Sequence, residues 1–313
     1  MQMLRLLPFL LFASPVLAAP PKVVTDIPPV QSLAAAVMGD LGVPDLLLDK
    51  GADPHHFQLR PSQATALSKA DLVLWVGPDL TPWLQRALNG IGPEGESIEL
   101  IEAPGTYRRK FDHAGHAHHH EADGEADAPE TGHEDLDLAG DVDPHAWLEP
   151  ENARVWVLRI AGELAELDPA DAMTYEANAN AALESITQAE AEARALLAPV
   201  GDAKLMVFHD AYGYFAEHYG LDIVGAISAG DAADPGAARL SALKSQISDE
   251  GIACIIPEAQ HEPAYVKALV EGTTARIGRP LDPSGSTLEP GPALYPTLLT
   301  GLARAIADCV TGN

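Results

Sequence analysis

The sequence predicts an α/β protein made of two parallel-sheet lobes that are joined by one long rigid helix. Short apolar runs alternate with helical stretches in the first and last thirds of the chain, which is typical of parallel sheets with crossover helices. Residues 170–197 contain no glycine or proline, which favours one uninterrupted helix over two. The length of 313 residues corresponds to about two domains.

The first lobe is assigned to residues 19–167 and begins with the strand-type run KVVTD at 22–26. The run DLVLWV at 71–76 is almost continuously apolar, which predicts a buried strand. Ser62 is expected to cap the helix that follows it, because a serine hydroxyl can accept a hydrogen bond from the first turn. The predicted elements are strand 22–26, helix 30–41, strand 46–48, helix 63–69, strand 71–76, helix 80–88, strand 97–101 and helix 150–166.

The linking helix is assigned to residues 168–198, after an Asp-Pro start. At 1.5 Å per residue it would be about 40 Å long, and Leu183 and Ile186 fall on its apolar face. The second lobe, 199–313, resumes the alternation of strands and helices. Its predicted elements are strand 204–208, helix 211–219, strand 222–227, helix 238–250, strand 254–257, helix 264–273, strand 276–281 and helix 295–308.

Several candidate ligands follow predicted strands or precede helices, and such loops converge on a cleft in parallel α/β lobes. His55 follows the second strand, His145 precedes a helix, and His209 directly follows the run KLMVF. One histidine alone more often has a structural or surface role, but three at equivalent loop positions exceed chance and are candidate metal ligands in the cleft. Asp282 also follows a strand, although an Asp-Pro turn is the other interpretation. Glu258 is expected in the cleft wall and not as a ligand.

The stretch 112–143 contains eleven carboxylates and no lysine or arginine. It has too few apolar residues for a core, and its imidazoles favour zinc, copper and nickel over magnesium or calcium, so we expect a mobile acidic arm that binds such a cation, Zn²⁺ among them, weakly. Alternatives are a sensor of zinc sufficiency, a site that accepts metal from a partner, and a solvated insertion without effect. The histidines assigned to this accessory loop are His113, His116, His118, His119, His120 and His133.

The net charge of the chain and its N-terminal residues predict which partners it can bind and where it is located. The net charge of −27 argues against nucleic acid and anionic membranes and is compatible with a cationic ligand. Residues 1–18 combine Arg5, an apolar run and a small-residue cleavage site, which predicts a signal peptide. The apolar run is too short to span a bilayer, and no cysteine lies near the cleavage site. We therefore expect an exported protein without a lipid anchor.

The two cysteines, Cys254 and Cys309, most simply form a disulfide in an oxidising compartment. On the chain-entropy model this closure would stabilise the fold by roughly 4 kcal/mol. Two buried thiols and a metal-binding pair are the alternatives, and the absence of neighbouring cysteine or histidine spacing weakens the second.

Five motifs resemble, in the same order, those of the ZnuA-type zinc-uptake substrate-binding proteins of ABC transporters, in the cluster A-I class: GADPHHFQLRPS, DLVLWVGPDL, DPHAWLEPEN, VFHDAYGYF and LDPSG. The likeness spans essentially the whole mature chain. The resemblance implies one metal site between two lobes, with His55, His145 and His209 as ligands. It places Asp282 as the fourth ligand, whose position water or a nearby acid can also take. It selects His55 over the adjacent His56, which we expect either to support the ligands or to lie at the rim. The disulfide in the second lobe also fits this family.

The resemblance implies a monomeric protein that captures Zn²⁺ in the periplasm and delivers it to a membrane permease, without catalysis. A periplasmic zinc-donating protein is a further expected partner. A manganese or iron binder of the same fold is the main alternative, and a histidine instead of a glutamate at 209 favours zinc. A zinc hydrolase would also use three histidines and an open position, but HExxH and GxSxG motifs are absent. A metal buffer without a transporter is the third alternative.

Overall fold

The computed structural model describes residues 19–111, 142–228, 236–261 and 264–312. The predicted signal peptide and all six histidines assigned to the accessory loop lie outside these ranges. Within them the chain forms two four-stranded sheets with flanking helices, and every strand pairing is parallel. The predicted α/β class with two parallel-sheet lobes is confirmed. None of the helices in the described part of the chain is both long and apolar enough to cross a membrane.

The sheet of the first lobe has the strand order β2-β1-β3-β4. All four residues of β3 are buried, as the apolar run predicted, because helices cover both faces of the sheet. The elements of this lobe are β1 (Val23–Thr25), α1 (Pro28–Met38), β2 (Asp45–Leu46), α2 (Pro61–Ser68), β3 (Leu72–Trp75), α3 (Pro82–Ile91) and β4 (Glu96–Glu99).

The sheet of the second lobe repeats this arrangement in the order β6-β5-β7-β8, so the first strand of each lobe is again flanked by the second and third. The carboxyl ends of its strands face the same edge because all pairs are parallel. The elements of this lobe are β5 (Lys204–Val207), α6 (Gly213–Tyr219), β6 (Asp222–Ala226), α7 (Ala237–Glu250), β7 (Cys254–Ile256), α8 (Ala264–Val270) and β8 (Arg276–Ile277).

Three long helices lie between the sheets together with α1: α4 (Pro150–Leu167), α5 (Ala172–Leu197) and α9 (Leu294–Thr311). Helix α5 is the single long helix that the sequence predicted. It packs against α1, α4 and α9. Its buried residues recur every three or four positions, which places them on one face: Tyr175, Ala179, Ala182, Ile186, Ala189, Ala193 and Leu197.

Two local predictions were wrong. Helix α2 begins at Pro61 and not after Ser62, because proline is favoured in the first turn and Gln63 accepts the backbone N–H of Arg60 at 2.7 Å. Strand β8 ends at Ile277 and does not extend over the predicted 276–281. Pro280 has no N–H for the ladder, and the chain pairs again only through an isolated bridge at Leu281.

The predicted disulfide is present and joins Cys254 at the start of β7 to Cys309 in α9. Both residues are buried. The bond therefore fastens the last helix to a central strand of the second sheet.

Candidate metal centre

Three histidines from distant parts of the chain converge in the cleft between the lobes. His55 lies in the loop after β2, His145 lies just before α4, and His209 lies two residues after β5. Each offers one nitrogen, and the three nitrogens lie within 4.8 Å of one another. His145 and His209 are buried, and His55 is half-buried. The fold thus brings together the three histidines that the sequence placed at loop positions.

The two buried rings face each other edge to edge through their Nε2 atoms, 3.4 Å apart. In a tetrahedral zinc site with Zn–N bonds of about 2.0–2.1 Å, two ligand nitrogens lie about 3.3–3.4 Å apart. The separation between His145 and His209 therefore matches one edge of such a tetrahedron.

Asp143 fixes the ring of His145. Its Oδ1 atom lies 2.8 Å from Nδ1 of His145 and also accepts the backbone N–H of that residue at 3.0 Å. A carboxylate beside Nδ1 favours the proton there and leaves the Nε2 lone pair for a metal. Burial raises the pKa of Asp143 to about 7, against the opposing effects of the His145 N–H and the Arg109 guanidinium.

Glu258, which follows β7, fixes the ring of His209 in the same way. Its Oε2 lies 2.6 Å from Nδ1 of His209, while its Oε1 accepts the hydroxyl of Tyr212 at 3.0 Å. Burial raises the pKa of Tyr212 well above its usual range, so the phenol stays protonated and donates. Both Nε2 atoms are then acceptors that face each other, and a cation between them removes the mutual repulsion.

His55 is held through its backbone. Its N–H donates to Oδ1 of Asp53 at 2.9 Å, an Asx-type turn that sets the course of the loop. Its ring centroid lies 5.4 Å from that of His145 and 6.1 Å from that of His209. His56, the next residue, has its Nδ1 only 3.4 Å from Asp53 Oδ2 and is exposed, so it lies at the rim.

The second lobe contacts the first directly beside the histidines. The indole N–H of Trp147, next to the His145 ring, donates to the carbonyl of Pro283 at 2.8 Å. The hydroxyl of Tyr295 in α9 donates to the carbonyl of Trp147 at 2.8 Å. These buried bonds hold the loop of His145 against the second lobe.

The structure does not bring Asp282 together with the histidines. Among the described residues, the groups of converging donor atoms include His55, His145 and His209 but not Asp282. Its Oδ2 accepts the N–H and hydroxyl of Thr287 at 2.7 and 2.6 Å, and its Oδ1 accepts the side-chain amide of Gln260 at 2.9 Å. The carboxylate thus makes the loop bonds that the Asp-Pro turn interpretation predicts.

The sequence motifs did not predict that Asp143 and Glu258 orient the rings of His145 and His209. For Asp143 the sequence does carry a signal, since the tripeptide Asp-Pro-His occurs twice and ends once at His55 and once at His145. An aspartate two residues before a histidine can accept its backbone N–H. For Glu258, 49 residues from His209, only the fold supplies the contact.

Known proteins are similar to this chain in sequence and in fold. The family model described as zinc-uptake complex component A, periplasmic (ZnuA) matches residues 23–309. A relative from Paracoccus denitrificans, the high-affinity zinc uptake system protein ZnuA, is 47% identical over 309 residues, which cover 95% of this chain and 94% of the relative.

Solved structures agree. A crystal structure of ZnuA has a TM-score of 0.74 at 25% identity and covers 93% of this chain and 99% of its own. The crystal structure of a ZnuA deletion mutant with zinc bound has a TM-score of 0.72 at 25% identity, and the match covers 93% of this chain and 98% of the mutant. With a family match over nearly its whole length and the same two-lobed fold around its histidines, this chain belongs to the ZnuA family of periplasmic zinc-uptake components.

Proposed function

We propose that this protein captures Zn²⁺ in the periplasm and delivers it to the membrane permease of an ABC transporter. The observation that carries the proposal is the convergence of three imidazoles, two of them oriented by buried carboxylates, in the cleft between the lobes. Such a set suits zinc, which prefers nitrogen ligands and tetrahedral geometry. Relatives named as high-affinity zinc uptake proteins support the same function.

His55, His145 and His209 are the proposed protein ligands, and a water molecule takes the fourth position. Asp282 is left out of this set because its oxygens are engaged in its own loop. A binding role is favoured over hydrolysis, since Asp143 and Glu258, the carboxylates beside the rings, orient imidazoles and are not placed to activate water.

The remaining assignments follow from the same proposal. The lobes would comprise residues 19–167 and 199–313, with 168–198 as the linking helix between them. Residues 1–18 would direct export. The acidic tract 112–143 would collect Zn²⁺ near the cleft or receive it from a zinc-donating protein, and the protein would act as a monomer.

The test compares zinc stoichiometry and affinity, by competition with a chelator, for the wild type and for His55→Ala, His145→Ala and His209→Ala. The wild type should hold one tight zinc, and each substitution should lower its affinity by a factor of about 100 or more. The rim variant His56→Ala serves as the matched control and should keep the wild-type affinity. Retention of tight zinc by the three variants, or tighter Mn²⁺ than Zn²⁺ binding by the wild type, would overturn the proposal.

A further inference from the structure

A second group of donor atoms lies beside the three histidines and shares one of them. Atoms of His209, Glu258 and His261 lie within 4.8 Å of one another. Glu258 follows β7, and His261 lies three residues further along the same loop. The metal site described above makes no use of His261.

The ring of His261 is fixed toward Glu258. It stacks on Phe208 with ring centroids 4.0 Å apart and an angle of 16° between the planes. Its backbone N–H donates to the carbonyl of Glu258 at 3.3 Å. Its Nε2 lies 3.8 Å from Oε2 of Glu258, which is longer than a hydrogen bond but close to the separation of about 3.3 Å between two ligands of one zinc ion.

His261 lies on the solvent side of the pocket. Its side chain is 23% exposed, whereas that of Glu258 is 1% exposed and those of His209 and His145 are 8% and 2% exposed, so His261 is the outer member of its pair with Glu258. All three line the same cavity, together with Glu258 and His55. An ion that moves from solvent to the buried nitrogens along this wall therefore meets His261 before His209.

We propose that Glu258 and His261 form an outer, transient zinc position through which the ion passes on its way to and from the three histidines. The proposal rests on the function proposed above. Oε2 of Glu258 can accept the Nδ1 proton of His209 with one lone pair and bind the ion with another, so no proton has to leave. Two protein ligands and water molecules hold zinc weakly, which suits a position that must release it inward.

The competing role for His261 is to support Glu258 and, through it, the orientation of His209. The two roles predict different changes in the rates of zinc uptake and release. A transfer position lowers the barrier in both directions, so its loss slows zinc uptake and zinc release together and leaves the affinity nearly unchanged. A supporting residue stabilises the bound state, so its loss speeds release and weakens affinity.

The experiment uses the full chain and Zn²⁺ itself, with stopped-flow measurement of uptake against a fluorescent zinc indicator and of release into excess chelator. The variants are His261→Gln and His261→Ala. The matched control is His56→Gln, an exposed histidine on the rim at the first lobe that also lies near a carboxylate, Asp53. All proteins keep the acidic tract, so its zinc binding affects every measurement equally.

Both His261 variants should take up and release zinc about tenfold more slowly than the wild type, with one tight zinc retained and the control unchanged. Unchanged rates, or faster release at an unchanged uptake rate, would overturn the transfer position. A wild type without a tight zinc would refute the proposed function itself, and the equilibrium measurement identifies that case separately.

Discussion

The carboxylate of Asp143 lies 2.8 Å from Nδ1 of His145, and this contact turns Nε2 of the ring toward His209. The contact is local, because the two residues are separated only by Pro144. It nevertheless sets the donor atom that faces the cleft. The first prediction follows from it.

Asp143→Asn should weaken zinc binding by about 10-fold to 100-fold, because an amide oxygen still accepts the Nδ1 proton but no longer supplies negative charge to the ring. The measurement is competition with a chelator of known affinity. Asp53→Asn is the matched control, since Asp53 accepts the backbone N–H of His55 and otherwise lies near the exposed ring of His56, and an amide oxygen replaces it well in both contacts. Equal losses in the two variants would mean that the charge of Asp143 has no special effect on the imidazole.

Removal of the acidic tract should leave the tight zinc site intact. Lys110 and Val142 pair in an antiparallel bridge, and the N–H of Asp143 donates to the carbonyl of Arg109 at 2.9 Å, so the two ends of the tract lie side by side. A few glycine and serine residues can therefore replace 112–141. Zinc titration should show one tight equivalent in the shortened protein and fewer weak ones than in the wild type. Loss of the tight equivalent would place a primary ligand in the tract.

His218 should make stability depend on pH. It lies in α6, with Nδ1 2.7 Å from Glu149 before α4 and Nε2 3.0 Å from Glu190 in α5, and the guanidinium of Arg194 is 3.2 Å from Nε2. The hydrogen bond to Glu149 raises the pKa of His218 above its ordinary 6.5, against the opposing effect of burial, and Glu190 raises it further.

The higher folded pKa of His218 makes the protein less stable as the pH rises. The folded state binds the proton more tightly than the unfolded chain, so the stabilisation is complete below about pH 6.5 and is lost as the pH rises through the higher folded value. Denaturant unfolding from about pH 6 to about pH 8 should show a decline that is smaller in His218→Gln. The same slope in both proteins would assign the decline to other groups.

The disulfide should contribute to stability without being needed for zinc binding. It spans 55 residues, so the chain-entropy model gives about 4 kcal/mol. The double variant Cys254→Ala and Cys309→Ala should lose about that much free energy of unfolding in denaturant titrations. It should still bind one tight zinc because neither cysteine lines the cavity. A stability equal to that of the wild type would show that packing of α9 alone fixes this end of the lobe.

The sequence was informative where the chemistry is local or periodic. The buried run before Gly77 predicted β3, the absence of breakers predicted α5, and loop positions predicted that His55, His145 and His209 lie in one cleft. It was less informative where distant residues decide the outcome. The contact between Glu258 and His209 depends on adjacent strands β5 and β7, and no spacing along the chain encodes it.

Asp282 shows a further limit. In the sequence, an aspartate before a proline after a strand suits both a ligand and a turn. The choice depends on whether other groups take its oxygens, and here Gln260 and Thr287 do so. Such competition between hydrogen-bond partners is a property of the packed structure and not of a motif.

The position of α5 also determines how the protein unfolds. One continuous set of buried apolar residues runs from Val23 in the first sheet through Ile186 of α5 to Ile306 of α9. Each lobe also has a smaller apolar cluster of its own, but neither can lose its part of the shared cluster without exposing apolar surface of the other. We therefore expect the two lobes to melt together, as a single transition in calorimetry, and a lobe expressed by itself would lack part of the helical layer that this shared cluster joins.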